Sequence, residues 1–240
     1  MIVFEHVSFS YEPDRPVLRD ISFRIERGES VGLIGANGAG KSTVMKLLLG
    51  LIQGEGRVLV DGIEVRKASL PEVRRKLGFV LQNSDNQLFM PTVYEDMMFG
   101  PLNYGLSREE AEKRVDTVLE DLGLTALKQR HNHRISGGEK RMAAIATVLA
   151  MEPEAVLMDE PSSALDPYNR RVVINTIRAL PMTKLITSHD LDMILDTCDR
   201  VILLSKGQIV ADGRADVLLR DRALLEAHRM ELPLSLTGRP

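Results

Sequence analysis

Three short segments carry residue types suited to phosphate chemistry. The first, GANGAGKST (35–43), has the pattern G-x-x-x-x-G-K-[ST] and lies between an apolar run, ESVGLIG (29–35), and a helical pattern, KSTVMKLLLGL (41–51). Glycines let backbone N–H groups wrap a phosphate chain, and the helix start adds its positive end. Lys41 can reach the β- and γ-phosphates, and the Ser42 hydroxyl can ligate Mg²⁺. Gly35, Asn37, Gly38, Gly40, Lys41, Ser42 and Thr43 are the expected nucleotide-binding residues. The second segment, AVLMDEP (155–161), is an apolar strand ending in two carboxylates. Strand alternation aims Asp159 and Glu160 in different directions, one toward Mg²⁺ and the other toward an attacking water. The third is RISGGEKRMAAIA (134–146). Ser136-x-x-Glu139 fits a capping box, and Ala143, Ala144 and Ala146 favour helix. Capping does not explain Gly137 and Gly138 in the first turn, where glycine weakens a helix. Close approach of a ligand to the backbone would. That makes the helix start a second anion site, far in sequence from the first. Two such sites on one chain point to two chains sharing nucleotides head to tail.

These residues need a scaffold that brings them together. Residues 2–9 and 21–26 read as short alternating strands, and 29–35, 56–62 and 77–82 as further strands. From about 83 the pattern turns helical. Thr92-x-x-Glu95 and Ser107-x-x-Glu110 both fit capping boxes, and Ala111, Val115, Val118, Leu119 and Leu122 recur at helical spacing. A helix is expected over 137–151. Strand and helix then alternate through 155–159, 170–180, 184–188 and 191–198, followed by a hairpin (201–205 and 208–212) and a last helix over about 215–229. The expected fold class is α/β, a parallel core interrupted by a helical lobe at about 83–153. One domain spans 1–240: core and β part at 1–82 and 154–213, the lobe, and a C-terminal helix within 214–240.

Bulk properties exclude other classes. The net charge of -3 gives no basic field to collect nucleic acid or an anionic membrane. Cys198 is alone, which rules out an internal disulfide framework and fits a reducing compartment. The start, MIVFEHVSFSY, shows no signal peptide, and no apolar stretch reaches the roughly 20 residues of a membrane span. Work at a membrane would go through a partner. His131 and His133, two apart in a polar loop, read as solvated rather than as metal ligands.

The P-loop, SGGE, the acidic strand end, Ser163-Ala-Leu-Asp166 and ITSHD (186–190), in this order, resemble an ABC-type ATPase subunit over nearly the whole chain. Ile135 in place of the usual leucine and Glu139 in place of the commoner glutamine are mild departures. The resemblance implies a RecA-like P-loop NTPase core with a small antiparallel β subdomain and an inserted helical subdomain. It also implies ATP and Mg²⁺. Tyr11 resembles the aromatic that stacks on adenine, and Gln82 the glutamine that senses Mg²⁺ and couples to a partner. Ser136, Gly137 and Gly138 would contact the γ-phosphate held by the opposite subunit, with Asp166 across the dimer interface. Glu160 would be the general base, and His189 would hold the γ-phosphate and attacking water.

The stretch LQNSDNQLFMPTVYEDMMFGP (81–101) is unusual for a chain poor in aromatics: it holds six of the 21 Phe, Tyr and Met residues. Continued to Leu106, it resembles the segment after the coupling glutamine in energy-coupling-factor ATPases; VLAMEPEAVLMDEPSSALDP and LLEAHRMELP are similar to the same group. That resemblance implies a homodimer, or a pair with a similar ATPase, at the cytoplasmic face of the membrane. A transmembrane coupling subunit would dock near Gln82 and residues 87–99, with a substrate-binding membrane subunit in the complex. Phe89, Met90, Tyr94 and Met98 are expected to line the docking groove, with Val93, Met97 and Gly100 on one helix face. The chain stops soon after ELP, which resembles the short cobalt or nickel ATPases more than the longer vitamin ones. A soluble ABC ATPase acting on DNA or ribosomes is the alternative. One motif set, no sustained heptads and no basic cluster interleaved with aromatics speak against it.

Overall fold

The computed structural model describes residues 1–237. An antiparallel sheet contains β1 (Ile2–Glu12), β2 (Arg15–Ile25), β4 (Glu55–Val60) and β5 (Ile63–Glu64), in the order β2-β1-β4-β5. β1 and β2 form one long hairpin rather than two short strands, with Glu12 opposite Arg15 at its tip. Cross-strand pairing carries the ladder past the apolar residues into polar sequence, which alternation alone does not reveal.

The larger sheet has the order β10-β9-β3-β8-β7-β6. Its strands are β3 (Ser30–Ile34), β6 (Leu77–Val80), β7 (Ala155–Asp159), β8 (Thr183–Thr187), β9 (Arg200–Ser205) and β10 (Gln208–Arg214). All neighbours pair in parallel except β10, which returns antiparallel from β9 through Lys206-Gly207. β3 and β8 are buried along their whole length, as parallel strands covered on both faces must be. Val31, Leu33, Leu157 and Leu185 pack on α1 (Lys41–Leu48) and the antiparallel sheet, where Phe4 and Phe23 stack at 4.5 Å. Ile34, Val156, Met158 and Ile186 face a second apolar cluster, built on the helices.

Those helices are α3 (Val93–Asn103), α4 (Arg108–Asp121), α5 (Gly137–Leu149), α6 (Pro167–Ala179) and α7 (Leu191–Thr197); α2 (Leu70–Lys76) precedes β6. α3, α4 and α5 each begin on an expected capping box: Thr92 with Glu95, Ser107 with Glu110, Ser136 with Glu139. α6 starts before the predicted residue 170 because Asp166 accepts from the N–H groups of Tyr168 and Asn169. The single last helix is not found. Two short ones, α8 (Ala215–Leu218) and α9 (Arg222–Ala227), replace it, because Asp221 accepts from Leu224 N and opens a new helix. The predicted C-terminal stretch also includes 238–240, which lie outside the described residues.

Candidate active site

Parallel pairing decides where the motifs meet. Leu33 lies opposite Thr187, Thr187 opposite Asp159, and Met158 opposite Val80. The loops leaving β3, β8, β7 and β6 therefore emerge at one edge of the sheet, where open α/β folds bind ligands. Those loops carry the P-loop, Ser188-His189, Asp159-Glu160 and Gln82 respectively.

In the P-loop, Gly35, Gly38 and Gly40 have φ of 149°, 77° and 113°, values that favour glycine. A Cβ on Gly35 would lie 2.2 Å from the Leu204 carbonyl oxygen, so the loop fits against β9 only without a side chain. Gly207 N donates to the Ala39 oxygen (3.2 Å), fixing the loop to the β9–β10 turn. Asn37 and Ser42 are exposed and Thr43 is buried. Lys41 is only 8% exposed. Its Nζ donates to the oxygens of Gly35 (2.7 Å) and Ala36 (3.3 Å) and lies 3.5 Å from His189 Nε2. Burial lowers the Lys41 pKa, while Glu160 and Asp159 pull it back up.

The two carboxylates are separated by a backbone turn rather than by simple alternation. Asp159 closes β7, and its Oδ1 accepts from Thr187 Oγ1 (2.5 Å). Glu160 has φ of 48°, a conformation costing about 1–3 kcal/mol for a residue other than glycine. Its Oε2 accepts from Ser188 Oγ and from His189 N, each at 3.1 Å. Its Oε1 is buried, makes no hydrogen bond among the described residues and sits 3.4 Å from His189 Nε2. Lys41, Glu160 and His189 thus converge, with one carboxylate oxygen left for an incoming donor. The Ser42 hydroxyl and the two carboxylates are hard oxygen donors, which fits Mg²⁺. Thr187 and Ser188, which hold the carboxylates, were legible in ITSHD only as a polar strand end.

Tyr11 projects from the tip of β1 and is 56% exposed. It meets Phe9 edge to face at 4.7 Å, and Lys46 of α1 lies 5.7 Å from its ring centre. Gln82 lies at the end of β6, and Arg141 donates to its main-chain oxygen. Arg141 also donates to the Leu81 oxygen at 2.7 Å. It is buried on α5 and tethers the Gln82 loop, a role the alanine-rich helix pattern hid.

Ser136, Gly137 and Gly138 open α5, away from Lys41 in the chain but beside the loop of Asp166. A Cβ on Gly138 would meet Asn169 Cγ at 2.1 Å, and Asn169 Nδ2 donates to Asp166 Oδ2 (2.5 Å). Close approach does explain this glycine, but the approaching group belongs to the same chain. A Cβ on Gly137 would meet nothing within 4 Å among the described residues, so that side of the helix start is open. Hydrogen bonds from the Asn169 backbone and side chain hold the Asp166 carboxyl below its usual pKa.

The aromatic stretch divides. Phe89 (61% exposed) and Phe99 (43%) meet edge to face at 4.9 Å on the surface, and Met90 and Tyr94 are half-buried. Tyr94 donates its hydroxyl to Glu112 (2.7 Å). Met98 is core, contrary to the expectation that it lines a groove. α3 turns Val93, Met97 and Met98 inward together, and Phe99 takes the outward place. Gly100 packs on Met151, where a Cβ would come within 2.6 Å of sulfur.

Comparison with known proteins shows the family. The ABC transporter family profile matches residues 18–163. The energy-coupling factor transporter ATP-binding protein EcfA of Methanothermobacter thermautotrophicus is 41% identical over 239 residues, covering 97% of this chain and 77% of that protein. Among solved structures, cbiO1 from Clostridium perfringens, part of the ABC transporter complex cbiONQ, superimposes with a TM-score of 0.85 at 32% identity, covering 94% of this chain and 93% of that one. A dimeric ATP-binding cassette in a post-hydrolysis state with ADP and Pi superimposes with a TM-score of 0.78 at 27% identity, covering 90% of this chain and 99% of that one. Together with the P-loop, the carboxylate pair and the histidine at one sheet edge, these matches establish that the chain belongs to the ABC transporter family, as an ATPase of energy-coupling-factor type that uses ATP and Mg²⁺.

Proposed function

We propose that this ATPase works as a closed homodimer that powers uptake of a transition metal ion, cobalt or nickel, through membrane partners. The observation that carries the catalytic part is the convergence of Lys41, His189 and Glu160: Lys41 Nζ lies 3.5 Å from His189 Nε2, which lies 3.4 Å from Glu160 Oε1. Gly35, Asn37, Gly38, Gly40 and Thr43 cradle the phosphates, and Tyr11 stacks on adenine. Lys41 leaves its loop oxygens for the β- and γ-phosphates. Ser42, Asp159 and Gln82 hold Mg²⁺, which neutralises phosphate charge when bound. Glu160 accepts a proton from the attacking water through the oxygen that has no partner, and His189 orients water and γ-phosphate. Ser136, Gly137 and Gly138 of one protomer close on the nucleotide of the other, with Asp166 at the interface. Residues 1–82 and 154–213 act as the core and 83–153 as the moving lobe.

Replacing Glu160 by Gln removes the base and keeps the shape. Turnover should fall about 10²–10⁴-fold with ATP binding intact. Turnover at the wild-type rate would remove Glu160 from this role.

The exposed Phe89–Phe99 pair supports docking of a transmembrane coupling subunit beside Gln82, with Met90 and Tyr94 at its border. No helix among the described residues is long and apolar enough to cross a membrane, so attachment at the cytoplasmic face would go through such a partner. The metal reading rests on the resemblance of residues 81–106 to energy-coupling-factor ATPases, and the cbiO1 match supports a place in a multi-subunit transporter. A vitamin or other small solute is the second reading. A neighbouring gene for a metal-binding membrane subunit supports the first, and one for a vitamin-binding subunit overturns it. Sedimentation with nucleic acid rather than membranes would overturn both.

A further inference from the structure

Asp96 on α3 is 5% exposed and has no cation within ion-pair distance among the described residues. Its Oδ1 accepts from Phe89 N and Met90 N, each at 3.1 Å, and its Oδ2 accepts from Asn132 Nδ2 at 2.5 Å. A carboxylate buried without a counter-ion is costly unless its hydrogen bonds are complete, so the site needs a reason beyond packing. Its partners suggest one. The two N–H groups belong to the turn that presents Phe89. Asn132 grips the same turn again, donating to the Met90 oxygen at 2.7 Å. The backbones run together as well: Asn132 N donates to Pro91 O (3.1 Å), Val93 N to Arg130 O (3.2 Å) and Tyr94 N to Lys128 O (3.0 Å). From Asn132 a single tight turn, Asn132–Arg134, and the buried Ile135 lead to Ser136, the cap of α5.

Two other ties reach α5 from the same region, but farther along it. Gln87 Nε2 donates to the Ala144 oxygen (2.7 Å) and Thr147 Oγ1 (3.1 Å), and Arg141 holds the Leu81 and Gln82 oxygens. The Asn132 connection instead arrives at the helix start, where the backbone N–H groups of Gly137 and Gly138 lie.

We propose that Asp96 and Asn132 form a buried latch joining the exposed Phe89 turn to the start of α5, and that both are positioning residues for ATP turnover. The proposal rests on the reading of Phe89 as a docking surface and of Ser136–Gly138 as a γ-phosphate contact. Displacement of the turn by a docked helix moves Asn132, and Asn132 moves the cap four residues on.

The test uses the purified full-length chain and its Asn132→Ala and Asp96→Asn variants. Amide hydrogen exchange is followed at residues 89–90 and 136–139, with steady-state hydrolysis of MgATP. Exchange should rise at both places. kcat should fall about fivefold, the rate equivalent of one hydrogen bond, with KM for ATP unchanged because the P-loop is untouched. Phe89→Ser, which alters the surface but not the latch, should leave exchange at 136–139 as in the wild type. Faster exchange confined to 89–90 with unchanged kcat overturns the proposal. So does a general rise over α3–α5 with a raised KM, which would mark a merely structural pair. A wild-type chain without ATPase activity would sink the functional reading, while the exchange pattern still judges the latch. Phe89→Ser that sediments with membranes like the wild type would remove the docking reading and leave the latch standing.

Discussion

The two ends of the large sheet are built on opposite principles. Where the strands begin, charges are paired. Arg27, before β3, donates to Glu154 (2.5 Å) and Asp61 (2.6 Å), and Lys76, before β6, donates to the same Glu154 (2.6 Å) and Asp61 (3.0 Å). Arg200, opening β9, grips Asp212 through two nitrogens at 2.6 and 2.7 Å. Where the strands end, Lys41 rests on peptide oxygens, Glu160 has an oxygen without a partner among the described residues, and the Glu160 backbone is left-handed. One end spends its charges on itself; the other, in the function proposed above, keeps them for a ligand. Groups that fold badly alone yet persist mark the working end.

The largest effect that tests this contrast is expected at Lys41. Lys41→Met should lower ATP turnover about 10²–10³-fold, the range for losing one donor to developing negative charge. It should not lower the melting temperature of the nucleotide-free chain, because it removes a buried cation. The pH dependence has a sign. Lys41 has a lowered pKa in the fold, so the unfolded chain binds its proton more readily. The wild type therefore gains stability as pH rises through that lowered value toward the ordinary 10.5, and Lys41→Met lacks that gain in thermal melts. A variant that melts well below the wild type would break the contrast.

Next in size is the pair of glycines opening α5. Gly138→Ala pushes a Cβ into Asn169 and should cost about 1–3 kcal/mol of stability, restored in part by Asn169→Ala in the same chain. Gly137→Ala meets nothing within 4 Å among the described residues and should fold as well as the wild type, while turnover falls. Equal melting temperatures for the two variants would show that Asn169 yields freely.

The smallest effect is expected at the paired end. Lys76→Met should leave ATP turnover unchanged and slightly lower stability near neutral pH, since ion pairs that remain partly open to solvent contribute little singly. Hydrogen bonds from Lys76 and Arg27 hold Asp61 and Glu154 below their ordinary 3.8 and 4.5. Their contribution is present above those values and is lost as pH falls through the lower folded-state ones. The gap in melting temperature between the two chains should therefore close in acid. A gap that widens there, or a turnover that drops, would show that the two ends are not separate.

Much of the proposed catalytic end was legible from residues alone. The P-loop pattern, the two carboxylates after an apolar strand and the Ser-x-x-Glu caps are local chemistry, written within a few residues of one another. The hidden parts depend on residues far apart in the chain. Asn169 fills the space beside Gly138, 31 positions earlier, and Asp96 meets Asn132 across 36. Met98 and Phe99 are neighbours of similar apolar character, and only the rotation of α3 sends one inward and the other out. The last helix failed for a local reason: helical periodicity continued across residue 221, but an aspartate cap outweighed it.

By itself the sequence determined the reaction class, the alternation of strand and helix in the core and the three helix starts on Ser/Thr-x-x-Glu caps, because backbone φ, capping and alternation act over a few residues. Tertiary structure decided which charges stay unpaired, why Gly138 must lack a side chain and which aromatics remain outside. Those outcomes depend on burial and on contacts between distant segments, and both exist only once the strands have paired in register.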